Sequence, residues 1–282
     1  MKIVSFNINS IRARPHQIEH LRDTIDPDVI GLQETKVDDP EFPIEVVNEL
    51  GYHAEFWGQK GHYGVAILSK EKPINTVKGF INDSDEDQKR FIQSKFTYGK
   101  SEIIVMNGYF PQGENINHET KFPKKIKFYD DLHSHISDLK KNEKNLIIMG
   151  DFNVSPEDID IGIGEQNAKR WLREGKTSFQ PQEREMWNSI KNLGFVDSWR
   201  EIYPTESSIY SWFDYRSRMF DQSPKRGLRI DHILLSENLK NSINAVGIDY
   251  DARAMEKPSD HCPVWLELNL SLIHISEPTR RM

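Results

Sequence analysis

Two kinds of hydrophobic pattern alternate along the chain: short, nearly continuous apolar runs, and longer stretches in which apolar residues recur every three or four positions. The short runs have the length of strands buried on both faces, and the longer ones have the spacing of amphipathic helices. Residues 2–7 read as a first strand. A helix then starts at Pro15, carries Ile18, Leu21 and Ile25 on one face, and stops at Asp26-Pro27. A second buried run, 28–33, finishes in Glu34. A helix over 41–50 is closed by Gly51, and strands follow at 52–57, 65–69, 90–98 and 102–109. Beyond Pro123, the spacing of Ile126, Tyr129, Leu132, Ile136 and Leu139 predicts a long helix that delivers the chain to a strand over 146–149. Helices near 165–174 and 183–193 precede two last strands, one holding Ile233 to Leu235 and one over 264–268.

At 282 residues and 37% hydrophobic content the chain could form one large domain or two small ones, and no obvious linker divides it. The opening run is too short and too polar at its end for a signal peptide, and no apolar stretch reaches membrane-spanning length, so a soluble, cytoplasmic protein is expected. The single cysteine, Cys262, excludes a disulfide within the chain. With a formal net charge of −7, a polyanionic partner would have to be met by a local basic stripe.

Chemistry collects where the apolar runs stop. The run Leu146 to Met149 ends in Gly150-Asp151-Phe152-Asn153, so a carboxylate and a carboxamide emerge at the carboxyl end of a buried strand, where ligand crevices form in open sheets. Asn7 closes the first strand, Glu34 the second, and Tyr109 another. Asp231 opens a later strand, and Ser259-Asp260-His261 precedes the last. Any one of these is also an ordinary turn or packing residue. Their recurrence at strand ends points to one site, whose oxygen donors suit a hard cation. Between residues 210 and 218 lies an aromatic and basic cluster, Tyr210-Ser211-Trp212-Phe213-Asp214-Tyr215-Arg216-Ser217-Arg218, with the composition of core or of a stacking and phosphate-contacting surface.

Taken in order, Asn7, Gly31-Leu32-Gln33-Glu34-Thr35-Lys36, Asn107-Gly108-Tyr109-Phe110-Pro111-Gln112-Gly113, Asp151-Phe152-Asn153, Ser211-Trp212-Phe213-Asp214-Tyr215-Arg216, Asp231 and Ser259-Asp260-His261 resemble the bacterial exonuclease III family of the endonuclease/exonuclease/phosphatase superfamily. The resemblance spans residues 1 to about 270 and makes residues 1–270 the expected single domain. It implies an α+β fold, a four-layer αββα sandwich of two mixed β-sheets flanked by helices, as in deoxyribonuclease I. It implies a magnesium-dependent DNA repair nuclease, with manganese as substitute, that cleaves 5′ to abasic sites and acts as a 3′ to 5′ exonuclease and 3′-phosphodiesterase or phosphatase. The expected partner is double-stranded DNA with abasic or blocked 3′ ends, and the expected state a monomer.

By motif position, the resemblance assigns metal ligation to Asn7, Glu34, Asp151, Asn153, Asp260 and His261. The catalytic set would be Tyr109, Asp151, Asn153, Asp231 and His261: His261 against the scissile phosphate, Asp231 orienting its ring, Asp151 near the attacking water, Tyr109 and Asn153 supporting the phosphate. Trp212, Leu228 and Ile230 would line an abasic-sugar slot, with Arg90, Lys121 and Arg216 among the phosphate contacts. Cys262 stands where the family has a small residue and is expected to be a packed thiol. Residues 271–282 run past the family's end and are expected to be an appended, non-native tail. Another phosphoesterase of the superfamily, acting on phosphoinositide, sphingomyelin or RNA, would share the metal site but give no account of Trp212-Phe213 with Arg229-Ile230-Asp231. A non-catalytic scaffold would have no chemical need for Glu34, Asp151, Asp231 and His261 together.

Overall fold

A computed structural model describes residues 1–84, 86–99 and 101–271; the expected tail, 271–282, lies outside them but for its first residue. In chain order the strands are β1 (Lys2–Asn7), β2 (Val29–Gln33), β3 (His53–Trp57), β4 (Val65–Ser69), β5 (Asn75–Lys78), β6 (Phe91–Tyr98), β7 (Ser101–Tyr109), β8 (Leu146–Asp151), β9 (Phe195–Asp197), β10 (Asp231–Ser236), β11 (Ile243–Ile248) and β12 (Val264–Leu268). The α-helices among the described residues are α1 (Pro15–Thr24), α2 (Ile44–Glu49), α3 (Lys121–Leu139), α4 (Glu165–Glu174), α5 (Pro181–Lys191), α6 (Ser198–Ile202) and α7 (Tyr250–Ala254). Two six-stranded sheets result, in the orders β11-β12-β1-β2-β4-β3 and β5-β6-β7-β8-β10-β9. Both are mixed, with β1 and β2 parallel in one, β7 and β8 parallel in the other, and antiparallel pairing elsewhere.

Alternation along each central strand explains the layers. Ile3, Val29, Ile67, Val105, Ile147, Met149, Ile233 and Leu266 meet between the sheets. Their neighbours Val4, Phe6, Ile30 and Leu32 face the other way, under Ile18 and Leu21 of α1 and Val47 of α2. On the second sheet Ile104, Met106, Ile148 and Leu234 turn outward under Phe128, Tyr129, Leu132 and Ile136 of α3 and Trp187 and Ile190 of α5. Such strands are apolar on both faces, which is why they read as continuous runs, and the product is the expected four-layer α+β sandwich.

Local chemistry moves some boundaries. Pro43 forces Phe42 into extended backbone, so the helix expected over 41–50 becomes a 3₁₀ turn, Asp39–Glu41, followed by α2. Helix α3 begins two residues before Pro123, which is tolerated in a first turn. Its buried face there is Phe122 and Lys125, whereas Ile126 is exposed. Strands β5, β9 and β11 were not legible as runs, and all three are sheet edges with half-exposed residues.

Toward one end of the sandwich the inner faces change from hydrocarbon to polar. Gln33 donates to Asn107 Oδ1 (2.6 Å), and Asn107 Nδ2 donates to the carbonyls of Leu32 and Ala66 (2.9 Å each), tying one sheet to the other. The sheets approach closely there because residue 31 is glycine; a Cβ would lie 2.4 Å from Met149 Cε. Just past this amide pair lie the strand ends that carry the candidate site.

Candidate active site

Register sets the first row of the site. Tyr109 at the end of β7 pairs with Asp151 at the end of β8, and Asp151 pairs with Asp231 at the start of β10. Asn7 and Gln33 end their strands side by side in the facing sheet. Each chain then turns sharply, with Asn9, Glu34, Lys36 and Asn153 all at positive φ between 49° and 57°. Non-glycine residues hold that conformation only where surroundings over-determine it. Here backbone bonds do so, including Ser10 N to Glu34 O (2.8 Å) and Lys36 N to Tyr63 O (2.8 Å).

Glu34, Tyr109, Asp151, Asn153, Asp260 and His261 line one cleft of about 290 Å³, and Trp212, Leu228 and Ile230 complete its wall. Asp231 lies behind His261, with both its oxygens near Nδ1 (3.0 and 2.9 Å), and Ser211 Oγ donates to Asp231 Oδ2 (2.7 Å). The opposite ring nitrogen, Nε2, stands 3.7 Å from Asp151 Oδ2, beyond hydrogen-bond range. Burial disfavours the imidazolium, but Asp231 and Asp151 outweigh it and raise His261 to about 10. Burial also pushes the Asp151 carboxyl up, against His261 and with Asp231, to about 7. For Asp260, burial is overcome by His261 and by hydrogen bonds from Trp212 Nε1 (3.1 Å) and Asn9 Nδ2 (3.0 Å), which hold it below the usual carboxylate range.

The expected ligands take up distinct positions. Asn7 is fully buried and turns its amide nitrogen to Glu34 Oε1 (2.9 Å) and Asp151 Oδ2 (3.0 Å), its oxygen accepting from Asn9 N (3.1 Å). It therefore orients carboxylates in this arrangement. Asn153 Nδ2 donates to Phe110 O (3.0 Å) and its backbone N–H to Asp151 Oδ1 (3.0 Å). Glu34 is met by the Lys36 ammonium at 2.9 Å. Carboxylate oxygens from Glu34, Asp151 and Asp260 facing one cleft fit a hard, oxygen-preferring cation. The atoms of Asp151, Asp231 and His261 that could hold a metal lie within 4.8 Å of one another.

Of the expected phosphate contacts, Arg90 is buried, its guanidinium between the Tyr63 ring (4.6 Å) and the Tyr109 ring (4.5 Å), and its Nη1 donates to Tyr109 O (3.0 Å). Burial and Glu34 raise the Tyr109 phenol well above its usual range, so it stays a donor. Lys121 lines an adjoining hollow of about 440 Å³ with Arg90 and Lys124, and pairs with Glu114. Arg216 is exposed on a turn whose Tyr215 hydroxyl donates to Pro258 O (2.5 Å), outside the cleft wall. Cys262 is buried, and burial pushes its thiol well above the usual range, in keeping with a packed, unreactive group.

Sequence reading missed Lys36, Gln112, Trp171 and Ser178 as site residues. Trp171 lines the cleft from α4 and stacks on Phe179 (5.7 Å, 3° between planes). Its signal was an aromatic and a leucine on an otherwise polar helix.

The endonuclease/exonuclease/phosphatase family matches residues 4–261. The chain belongs to that family. Over 267 residues it is 52% identical to exodeoxyribonuclease III of Haemophilus influenzae, covering 95% of this chain and 99% of that protein. Among solved structures, a 3′ phosphatase from Neisseria bound to a product DNA hairpin superposes with a TM-score of 0.87 at 34% identity, covering 95% of this chain and 99% of the other. An AP endonuclease from Archaeoglobus fulgidus does so with 0.84 at 34% identity and the same coverage. As a family member with these relatives, the chain is a phosphodiester hydrolase of the DNA-repair nuclease kind.

Proposed function

We propose that the enzyme hydrolyses the phosphodiester 5′ to an abasic site in duplex DNA, removes blocked 3′ ends and digests 3′ to 5′, with magnesium or manganese held by Glu34, Asp151 and Asp260. What carries this reading is the continuity of one cleft: a carboxylate and histidine cluster merges with the apolar slot of Trp212, Leu228 and Ile230, and the Trp212 indole joins them by donating to Asp260. A sugar without its base fits such a slot after extrusion, whereas a nucleotide carries a base the slot must exclude. The 3′ phosphatase and AP endonuclease relatives support the same substrate class.

When bound, a hard divalent cation would neutralise the scissile phosphate. The chain's own groups do the rest. The Asp151 carboxylate, made more basic than a free one by burial, takes the proton of the attacking water. As the water oxygen bonds to phosphorus, the P–O3′ bond breaks and the departing O3′ alkoxide takes a proton from solvent water, leaving a 3′ hydroxyl upstream and the phosphate on the abasic sugar. His261, kept cationic by Asp231, and the Tyr109 phenol stabilise the charge that develops on the phosphoryl oxygens. Asn153 has one amide hydrogen beyond its bond to Phe110 for the same oxygens. We place the enzyme in the cytoplasm as a monomer, where a lone buried thiol stays reduced.

The test is a side-by-side assay on abasic duplex, duplex with a recessed or 3′-phosphorylated end, RNA and phosphoinositide, with magnesium and with excess chelator. We expect the DNA substrates to be cleaved with metal and not with chelator. Full turnover in chelator, or preference for phosphoinositide, would overturn the reading.

A further inference from the structure

Helix α3 brings a lysine into the core where its apolar spacing would place hydrocarbon. Lys125 is fully buried, and so is its ion-pair partner Glu183 on α5. A buried ammonium needs acceptors for its hydrogens. Lys125 Nζ reaches Glu183 Oε1, Asn153 O (2.9 Å) and Gln112 O (3.3 Å). The other glutamate oxygen, Oε2, accepts from Ser178 N (2.7 Å) and Gln180 N (2.8 Å). One ion pair thus grips three loops, 110–113, 152–155 and 176–180, and each contributes a residue to the cleft: Gln112, Asn153 and Ser178. Two of the loops also bond to each other, Ser155 N to Ser178 O at 2.6 Å.

We propose that Lys125 and Glu183 are positioning residues, which set the cleft geometry from behind by holding the carbonyls of Asn153 and Gln112 and the backbone of Ser178. Stability alone does not require charge here, since well-packed hydrocarbon often replaces a buried ion pair without loss. What hydrocarbon cannot replace is the pair of hydrogen bonds to loop carbonyls. The effect on turnover rests on the hydrolase reading above, whereas the grip on the loops does not.

Lys125→Met and the charge-balanced double variant Lys125→Met/Glu183→Gln separate positioning from folding. In the double variant no charge is left unpaired, and the glutamine oxygen still accepts from the 178–180 backbone, so the thermal midpoint lost in Lys125→Met should largely return. Turnover on abasic duplex should not return. We expect kcat to stay lower by roughly tenfold to a hundredfold, the scale of a small misplacement in a reacting geometry, with KM changed far less. Amide hydrogen exchange should quicken together in 110–113 and 152–155. A double variant with wild-type kcat and wild-type exchange in those loops overturns the proposal, as does loosening confined to 176–180, which would reduce Glu183 to a helix cap. Should the double variant not fold, exchange in Lys125→Gln/Glu183→Gln decides, since it removes the ammonium that bonds both loop carbonyls and leaves no unpaired charge: the proposal requires loosening at 110–113 and 152–155, and full protection there refutes it. Inactive wild type on every DNA substrate would count against the hydrolase reading alone, because the exchange result stands by itself.

Discussion

Asp231 meets the His261 ring with both carboxylate oxygens and is itself fastened by Ser211, so Asp231→Asn changes chemistry with little change of shape. An amide can donate where the carboxylate accepted, which favours the wrong tautomer and removes the counter-charge. We expect turnover on abasic duplex to fall by at least ~10²-fold with the thermal midpoint nearly kept. Because the two residues act as a unit, adding Asp231→Asn to His261→Ala should cost little more; strictly multiplicative losses would separate them. A second histidine, His232, behaves in the opposite sense. Arg229 Nη1 donates to its Nδ1 (2.9 Å) and its Nε2 donates to Val154 O (2.8 Å), so the ring is held neutral. Burial, helped by Arg229, lowers it from 6.5 to about 4. Between those values the unfolded chain binds the extra proton, so this contribution, roughly 3 kcal/mol, is present above pH 6.5 and fades as pH falls toward 4. Urea unfolding from pH 7 to 4 should therefore be less steeply pH-dependent in His232→Gln than in wild type. Equal slopes would mean that the ring takes up its proton over the same pH range folded and unfolded. Neither histidine's charge was legible from the sequence, which shows one Asp-His pair in each neighbourhood and nothing of what faces it.

Strands β7 and β8 run parallel with Gly108 opposite Gly150, directly before Tyr109 and Asp151. A Cβ on Gly150 would sit 2.0 Å from Gly108 O, a backbone atom that cannot swing away. Gly150→Ala should therefore push the strand ends apart, lowering stability by ~1–3 kcal/mol or more and turnover with it, as read by denaturant midpoint and kcat. Wild-type values for both would show that the ladder can relax. At this scale the sequence was most legible in the buried strands and in helices with clean periodicity. It failed at three of the four sheet edges, β5, β9 and β11, which lack the double-sided burial that makes an apolar run, and found only the edge β3. It also misplaced the first turn of α3, where Lys125 is buried and Ile126 exposed, because only the Glu183 partner from a distant helix makes a lysine admissible there.

For the whole molecule, a net charge of −7 coexists with a cationic hollow beside the cleft, lined by Arg90, Lys121 and Lys124. Binding to duplex DNA should weaken linearly in log salt, and Lys121→Gln should lower that slope by about one while leaving sequence preference unchanged. An unchanged slope would show that Lys121 keeps Glu114, its partner in the free protein, when DNA binds. The residue order along the chain determined the strand ends, the acids, amides and histidine they carry, and through those motifs the family and the four-layer fold. That information is local: a buried run and the polar residue that stops it lie within ten positions of each other. Tertiary structure alone decided what those groups do to one another. Asp151, Asp231 and His261 become mutually perturbing only because antiparallel register and a loop 30 residues on bring them together in a place water scarcely reaches. The same holds for Trp171 in the cleft wall and for the Lys125 and Glu183 pair behind it, since burial and distance between remote segments are not properties of a stretch of chain.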